Sequence, residues 1–432
     1  MKALIYDGSH AGDAMAARVE QAVRGQLPSR GWEVETIVLR EQRIGNCAGD
    51  FFCWVRSPGL CNTHDDNRVI AAKMVHSDLL VYLTPVTFGG YSSALKRMVD
   101  HQIQNILPFF TTVEGETHHQ KRYPVYPDML VAGWLGQPDP KREAIFQHLA
   151  QRNALNMHAR TSVCGVVATN ETDAALTARA AEWVAALERD QSSPRLTLPV
   201  TLAPFGKLRA GSAIAAVASA RVAASLNEAA PVRRALLLVG SPKTKKSTSN
   251  SLGSYLVRQL ALRGVEAETL QVYPTFSSAE RTRAALAAVD AADLVVLAFP
   301  IYVDALPAPV VAALEAIAAN RAGAAPHGRL VAIANCGFPE AAHNATALAI
   351  CAEFARQAGF DWMGGLALGG GEGLVHGAPL EELGGRAAAI RQALAPAASE
   401  LAAGRPVPPA ASEGLARGVI PSWLYQWMGA YG

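Results

Sequence analysis

Residues Gly240-Ser-Pro-Lys-Thr-Lys-Lys-Ser-Thr-Ser-Asn250 gather the hydroxyls of Ser241, Ser247, Thr248 and Ser249 with the ammonium groups of Lys243, Lys245 and Lys246. An apolar run, Ala235-Leu-Leu-Leu-Val239, leads in, and an amphipathic helical pattern leads out. At such a strand–loop–helix junction the unpaired N–H groups and positive end of the helix favour an anion. The hydroxyls add donors and the lysines lower the cost of holding negative charge, so the loop suits a phosphate dianion. A polar loop with Thr248 or Ser249 capping the helix is the plainer reading. The donors here exceed what a cap needs. The earlier counterpart, Gly8-Ser-His-Ala-Gly-Asp13, is poorer. It offers the hydroxyl of Ser9, while Asp13 would repel a phosphate. Either its backbone amides hold the anion with Asp13 turned away as a cap, or this loop has lost its ligand.

Two proline-led loops carry a second kind of chemistry. One is Pro85, Val86, Thr87, Phe88, Gly89, Gly90 and Tyr91; the other is Pro300, Ile301, Tyr302, Val303 and Asp304. Phe88, Tyr91 or Tyr302 could lie against a flat ring, and Gly89 and Gly90 would let the backbone come close to it. Tyr302 and Tyr91 are the candidates for a hydrogen-bond donor on the acceptor side; no side chain is assigned as general acid or base. Cys47, Cys53 and Cys61 share a short segment, whereas Cys164, Cys336 and Cys351 read as small core residues. The run Glu114-Gly-Glu-Thr-His118-His119 reads as a solvated polar loop, because adjacent histidines lack the spacing of a helical metal pair.

The elements that must position these residues alternate short apolar strands with longer amphipathic helices, which implies parallel sheets covered on both faces. Strands are expected near 2–7, 33–39, 79–84, 127–134 and 162–168, with helices near 13–26, 66–76, 93–106, 141–156 and 172–188. The plan then repeats. Strands are expected near 234–240, 265–271, 293–299, 329–335 and 360–367, with helices near 248–263, 279–291, 307–320, 341–358 and 380–402. Ala3-Leu-Ile-Tyr-Asp-Gly-Ser9 echoes Ala235-Leu-Leu-Leu-Val-Gly-Ser241, and Ser77-Asp-Leu-Leu-Val-Tyr-Leu-Thr-Pro85 echoes Ala292-Asp-Leu-Val-Val-Leu-Ala-Phe-Pro300. The expected fold is α/β: two three-layer domains that resemble flavodoxin-like ones, a resemblance that implies in each a five-stranded parallel sheet in the order 2-1-3-4-5. That order places the ends of strands 1 and 3 at the topological switch point, where the phosphate loop and the proline-led loop open into one crevice. The expected boundaries are 1–190 for the first domain, with the cysteine insertion at 44–66; 191–231 for an Ala/Ser/Pro-rich linker; 232–405 for the second domain; and 406–432 for a Pro-rich break and aromatic tail.

With 39 basic and 37 acidic residues among 432, the chain has a formal charge of +2, which leaves no electrostatic footprint for nucleic acid or an anionic membrane. No apolar run approaches the roughly 20 residues a membrane helix needs. A cytoplasmic location is the expectation, with reduced cysteines.

These motifs together resemble the flavodoxin-like NADPH-dependent FMN reductase family. The residues that carry the resemblance are Gly240-Ser-Pro-Lys with Ser247-Thr-Ser249, Phe299-Pro-Ile-Tyr-Val-Asp304, Asn335-Cys-Gly-Phe-Pro-Glu340, Pro85 to Tyr91 with Leu95-Lys96, and Asp65-Asp66. The resemblance implies noncovalent FMN reduced by NAD(P)H, with electrons passed to a small acceptor such as a quinone, an azo or nitro compound, or free flavin. An electron carrier docking a redox partner is the alternative, as is a flavin domain fused to a cofactor-free interaction domain. By the same resemblance, phosphate contacts fall on Ser241, Lys243, Ser247, Thr248 and Ser249, and ring contacts on Pro300 to Asp304 and on Asn335, Cys336, Gly337 and Phe338. Ser9 and Pro85 to Tyr91 would do the same in the first domain. It further implies a site completed by pairing, as a pseudo-dimer within one chain or as a homodimer. The cysteine segment resembles that of iron–sulfur flavoproteins, which carry a fourth cysteine where this chain has Asp50. With one thiolate missing, the segment reads as a structural loop, and no metal is expected.

Overall fold

The computed structural model describes residues 1–113, 115–191, 230–417 and 425; most of the linker expected at 191–231 and of the aromatic tail lies outside the described residues. The described chain forms two compact units. One comprises 1–110 and 119–191, and the other comprises 111–118 with the residues from 230 onward.

In unit one a five-stranded sheet runs in the order β2-β1-β3-β6-β7. Its strands are β1 (Lys2–Asp7), β2 (Glu33–Val38), β3 (Leu79–Pro85), β6 (Asp128–Leu135) and β7 (Ser162–Ala168). All neighbouring pairs are parallel, with Ala3 opposite both Val34 and Leu79. The central strands β3 and β6 are buried almost throughout, as a sheet covered on both faces requires. One layer of the core joins Ile5, Val81 and Leu130 to Val19 and Val23 of the helix Ala14–Arg24 and to Leu176, Ala180 and Val184 of the helix Asp173–Gln191.

Unit two repeats the sheet as β9-β8-β10-β11-β12, with β8 (Arg234–Val239), β9 (Glu266–Gln271), β10 (Leu294–Pro300), β11 (Arg329–Asn335) and β12 (Asp361–Leu368), again all parallel. Both sheets have the expected order, with the switch point beside strand 1. After the Pro-rich break comes a helix, Pro409–Ala416, whose Ala411 and Leu415 join the core of unit two. Proline fits its first turn because no N–H is needed there. No helix among the described residues is long and apolar enough to cross a membrane.

The duplication extends to the backbone of the loops. Gly8 N–H bonds the Leu83 carbonyl at 2.8 Å, and Gly240 N–H bonds the Ala298 carbonyl at 2.8 Å. Pro85 and Pro300 each end a strand, and the next residue's N–H reaches across to the neighbouring strand: Val86 to Trp134 O, and Ile301 to Asn335 O, both at 2.9 Å. Each chain then makes a two-residue turn closed by Thr87 with Gly90, or Tyr302 with Ala305.

Residues 106–121 depart from the polar loop that the sequence suggests. They form a hairpin of β4 (Ile106–Val113) and β5 (Glu116–Lys121). Strand alternation sends the adjacent histidines to opposite faces of the hairpin: His118 is fully buried, and His119 packs against Trp54 and Phe110.

Candidate functional site

In unit two the helix Thr248–Ala261 starts at the carboxyl end of the sheet, with Ser247 as its cap: the Ser247 hydroxyl accepts from Asn250 N–H at 3.1 Å. The cap is thus Ser247 rather than Thr248 or Ser249. Ser241, Ser247, Thr248 and Ser249 are all buried at the head of this helix. The hydroxyls of Thr248 and Ser249 donate to the Gly371 carbonyl (3.2 Å) and to Asn335 Oδ1 (2.8 Å). Lys243 Nζ meets Glu372 Oε1 at 2.7 Å. The segment Gly371–Gly377 lies over the loop: a methyl group on Gly377 would collide with the Lys246 backbone at 2.7 Å, and one on Gly371 would press on Thr248 and Asn335. The crevice is therefore narrower than the sequence suggests, and protein acceptors engage its donors. A phosphomonoester still fits the chemistry of the set, because one loop gathers buried hydroxyls and a helix N-terminus with Lys243, which already holds a carboxylate.

The loop from Pro300 to Asp304 is built with strain. Val303 (φ +49°) and Asp304 (φ +58°) both adopt left-handed backbone, which two-residue turns of this kind usually give to Asn or Gly. A β-branched residue there costs roughly 1–3 kcal/mol, so the surrounding structure must impose the turn. Pro300, Ile301, Tyr302 and Val303 are half-buried and Asp304 is buried. Asn335 lies beside them at the end of β11, and Cys336, Gly337 and Phe338 follow. Cys336 is held by its N–H on Leu368 O (3.1 Å) and by Asn344 Nδ2 on its sulfur (3.4 Å); burial pushes its thiol up to about 12, so it is no nucleophile. Tyr425, from the tail, donates its hydroxyl to the Gly337 carbonyl, and burial pushes that hydroxyl up to about 12.

A buried polar cluster beside this loop joins Asp304 and Glu340 to His343, a residue that the sequence did not single out. His343 Nδ1 lies 3.6 Å from Asp304 Oδ1, and its Nε2 lies 3.5 Å from Glu340 Oε2. Thr117 donates to Glu340 Oε1 at 2.9 Å, and His118 packs edge-on to His343 with ring centres 5.5 Å apart. An imidazole between two carboxylates can store and pass a proton. The one sequence cue was that His343 stands three residues after Glu340, near the end of the third loop.

The counterpart site in unit one is arranged differently. Asp13 caps the helix Ala14–Arg24 through Met15 N–H (3.0 Å), and its other oxygen accepts from Trp134 Nε1 (2.9 Å). A carboxylate therefore already occupies the positive helix end. The Ser9 hydroxyl accepts from Arg40 Nη1 at 2.7 Å, and the same nitrogen meets Asp7 Oδ2 at 3.0 Å. Pro85 to Tyr91 form the same turn, with Phe88 (φ +53°) and Gly89 (φ +83°) left-handed. Gly89 abuts Ile145, and the buried Tyr91 meets Tyr82 and Phe146 edge-on. These rings pack into the interior of the unit.

The cysteine segment folds around a cavity lined by Cys47, Cys53, Cys61 and Asp50, with His101 from the turn after the helix Ser93–Asp100. Among the described residues no His, Cys, Asp and Glu group has the geometry of a metal site. Asp50 instead accepts from Phe52 N–H at 3.0 Å, at the start of a single helical turn, Phe52–Val55.

The model of the family described as NADPH-dependent FMN reductase matches residues 1–115 and again 233–377. An iron–sulfur flavoprotein of Methanocaldococcus jannaschii is 29% identical over 100 residues, 23% of this chain and 51% of that protein; the chain thus spans about half the length of the curated relative it matches. Among solved structures, an NAD(P)H:quinone oxidoreductase from Methanothermobacter marburgensis is 12% identical, with 45% of this chain and 99% of that chain covered at a TM-score of 0.34. An FMN-dependent NADH-azoreductase from Bacillus anthracis is 12% identical, with 39% and 99% covered at a TM-score of 0.29.

Proposed function

From membership of the NADPH-dependent FMN reductase family, to which this chain belongs, we propose where its flavin sits and what it reduces. The protein is an NAD(P)H-dependent flavin oxidoreductase with one FMN per chain, held by unit two. The observation that carries this reading is the head of the helix Thr248–Ala261, where four buried hydroxyls and Lys243 converge at the switch point of the sheet. Ser241, Ser247, Thr248 and Ser249 hold the phosphate with Lys243, which exchanges Glu372 for it. Pro300 to Asp304 and Asn335 to Phe338 would flank the ring, on a loop whose turn is left-handed at Val303 and Asp304. When bound, FMN supplies the two-electron chemistry. His343 lies beside that loop, between Asp304 and Glu340. Tyr302, half-buried at the mouth, orients the acceptor; Tyr91, packed inside unit one, does not. The acceptor is a small oxidised molecule of the quinone, azo, nitro or flavin class.

The reading of unit one as a cofactor-free domain rests on Asp13, whose carboxylate sits at the helix end where a phosphate would have to lie. Anaerobic NADPH should bleach the flavin of the purified chain, and a quinone should restore its colour over many turnovers. Ser247→Ala with Thr248→Ala should abolish both. Bleaching that survives the double substitution would refute the placement in unit two.

A further inference from the structure

Six cysteines are distributed along the chain, and three of them, Cys47, Cys53 and Cys61, line one cavity with His101. His101 Nε2 lies 2.9 Å from the Gly45 carbonyl oxygen. A carbonyl only accepts, so Nε2 carries a proton and Nδ1 faces Cys61 Sγ at 3.5 Å. In the neutral pair Nδ1 takes the thiol hydrogen bond. If the proton moves across, Nδ1–H donates back to the thiolate, and both ring protons stay bonded. Thr63 N–H also points at the Cys61 sulfur, at 3.4 Å. The Cys61 backbone is fixed at both ends, with its N–H on Gln104 Oε1 (3.1 Å) and its carbonyl accepting from Arg68 Nε (2.7 Å).

The surrounding charges sort the three thiols. Burial opposes a thiolate at Cys61, but the His101 bond and the Thr63 N–H outweigh it and bring the thiol below its ordinary value. Burial likewise opposes an imidazolium at His101, and the contacts with Cys61 and Gly45, with Asp100 behind them, outweigh it and raise the ring. Asp65 adds to this field from the loop. Burial pushes the Cys53 thiol up to about 11, with Cys61 and Asp50 acting in the same direction and Arg122 against them. Burial and Asp100 push Cys47 higher still. The cavity thus holds one activated sulfur beside two protonated ones. Activation by an imidazolium partner is the usual basis of a reactive cysteine.

We propose that Cys61 is a hydroperoxide-reactive thiolate, paired with His101 and resolved by Cys53 in the same cavity. The Cys61 sulfur attacks one peroxide oxygen; the S–O bond forms, the O–O bond breaks, and the leaving alkoxide takes the proton held on His101. The peroxide gains two electrons and Cys61 becomes a sulfenic acid. The Cys53 sulfur then attacks Cys61; the S–S bond forms, the S–O bond breaks, and hydroxide leaves with the Cys53 proton as water. One hydroperoxide and two thiols give one disulfide, one alcohol and one water. Cys53 is the resolving partner because its carbonyl accepts from Gly59 N–H at 2.9 Å, which folds the segment leading to Cys61 back onto Cys53 in the shared cavity.

The test is peptide mapping of the purified full chain by mass spectrometry. Iodoacetamide at pH 7 should label Cys61 at least roughly tenfold faster than Cys53 or Cys47, with a rate that levels off at a pH below the ~8.5 of a free thiol. One equivalent of hydrogen peroxide should link the peptides of Cys53 and Cys61. In Cys53→Ser, dimedone should instead trap the sulfenic acid on Cys61, and His101→Asn should slow both reactions. Labelling of Cys61 no faster than of Cys53 would overturn the proposal, as would a Cys47–Cys61 link. So would isolation of the chain with zinc or iron shielding these thiols.

Discussion

Removing the Asp13 carboxylate tests whether the anion position of unit one is already filled. One oxygen caps the helix Ala14–Arg24 through Met15 N–H, and the other accepts from the indole of Trp134, which is only 4% exposed. Asp13→Ala deletes the cap, a loss of about 1 kcal/mol. It also leaves a buried indole N–H without that acceptor, at about 1–3 kcal/mol, and removes a favourable charge from the helix end, at about 0.3–1 kcal/mol. The sum is about 3 kcal/mol. With a urea slope of about 2 kcal/mol per molar, the unfolding midpoint of unit one should fall by about 1.5 M. Asp13→Asn has one oxygen where two are needed, so it keeps the cap, loses the indole bond and should cost about 2 kcal/mol. Hydrogen exchange across a urea series, read on peptides of β1, β3 and β6, isolates this unit from the other. A cost below about 1 kcal/mol for Asp13→Ala, or wild-type behaviour of Asp13→Asn, would refute the two-oxygen role and reopen the helix end to phosphate.

Three further outcomes follow from the same reasoning. Lys96 and Asp100 form an ion pair with both side chains 1% exposed; Lys96→Met should destabilise unit one by about 3–5 kcal/mol, and adding Asp100→Leu should recover most of that, as read by the same exchange experiment. Burial works against the charge of Asp65, but the N–H groups of Gly45 and Asn67 outweigh it and hold its carboxyl below the ordinary value. Its contribution is therefore complete above the unfolded value of about 3.9 and disappears as the pH falls through the lower folded value. Melting temperatures between about pH 5 and 2 should fall less steeply in Asp65→Asn than in the wild type. The Lys243–Glu372 pair is about one-third exposed, so it contributes at most about 1 kcal/mol. Glu372→Gln frees Lys243 and should tighten FMN by up to about fivefold in a fluorescence-quenching titration; weaker binding would mean that Glu372 supports the site.

The two sheets were legible because their central strands are unbroken apolar runs, Leu79 to Thr84 and Leu294 to Phe299, each closed by a proline. The candidate phosphate loop stood out for a similar local reason, since its hydroxyls and lysines all fall between Gly240 and Asn250. What escaped were pairings across long stretches of chain. Asp13 with Trp134, Cys61 with His101 and Lys243 with Glu372 join residues 121, 40 and 129 positions apart, and no local pattern announces them. The β4–β5 hairpin escaped because Pro108 interrupts one strand and the other, Glu-Thr-His-His-Gln-Lys, is polar throughout. Its buried residues, Thr117 and His118, are held by Glu340, Phe338 and His343, not by strand propensity. In the aromatic tail, Tyr425 donates its hydroxyl to the Gly337 carbonyl.

The most direct measurement is the amount of FMN released per chain when the protein, saturated with FMN and freed of excess, is denatured. One FMN per chain is the expected result, released from unit two. Two per chain would show that Asp13 does not exclude phosphate from unit one, and none would remove the flavin from the head of the helix Thr248–Ala261 altogether.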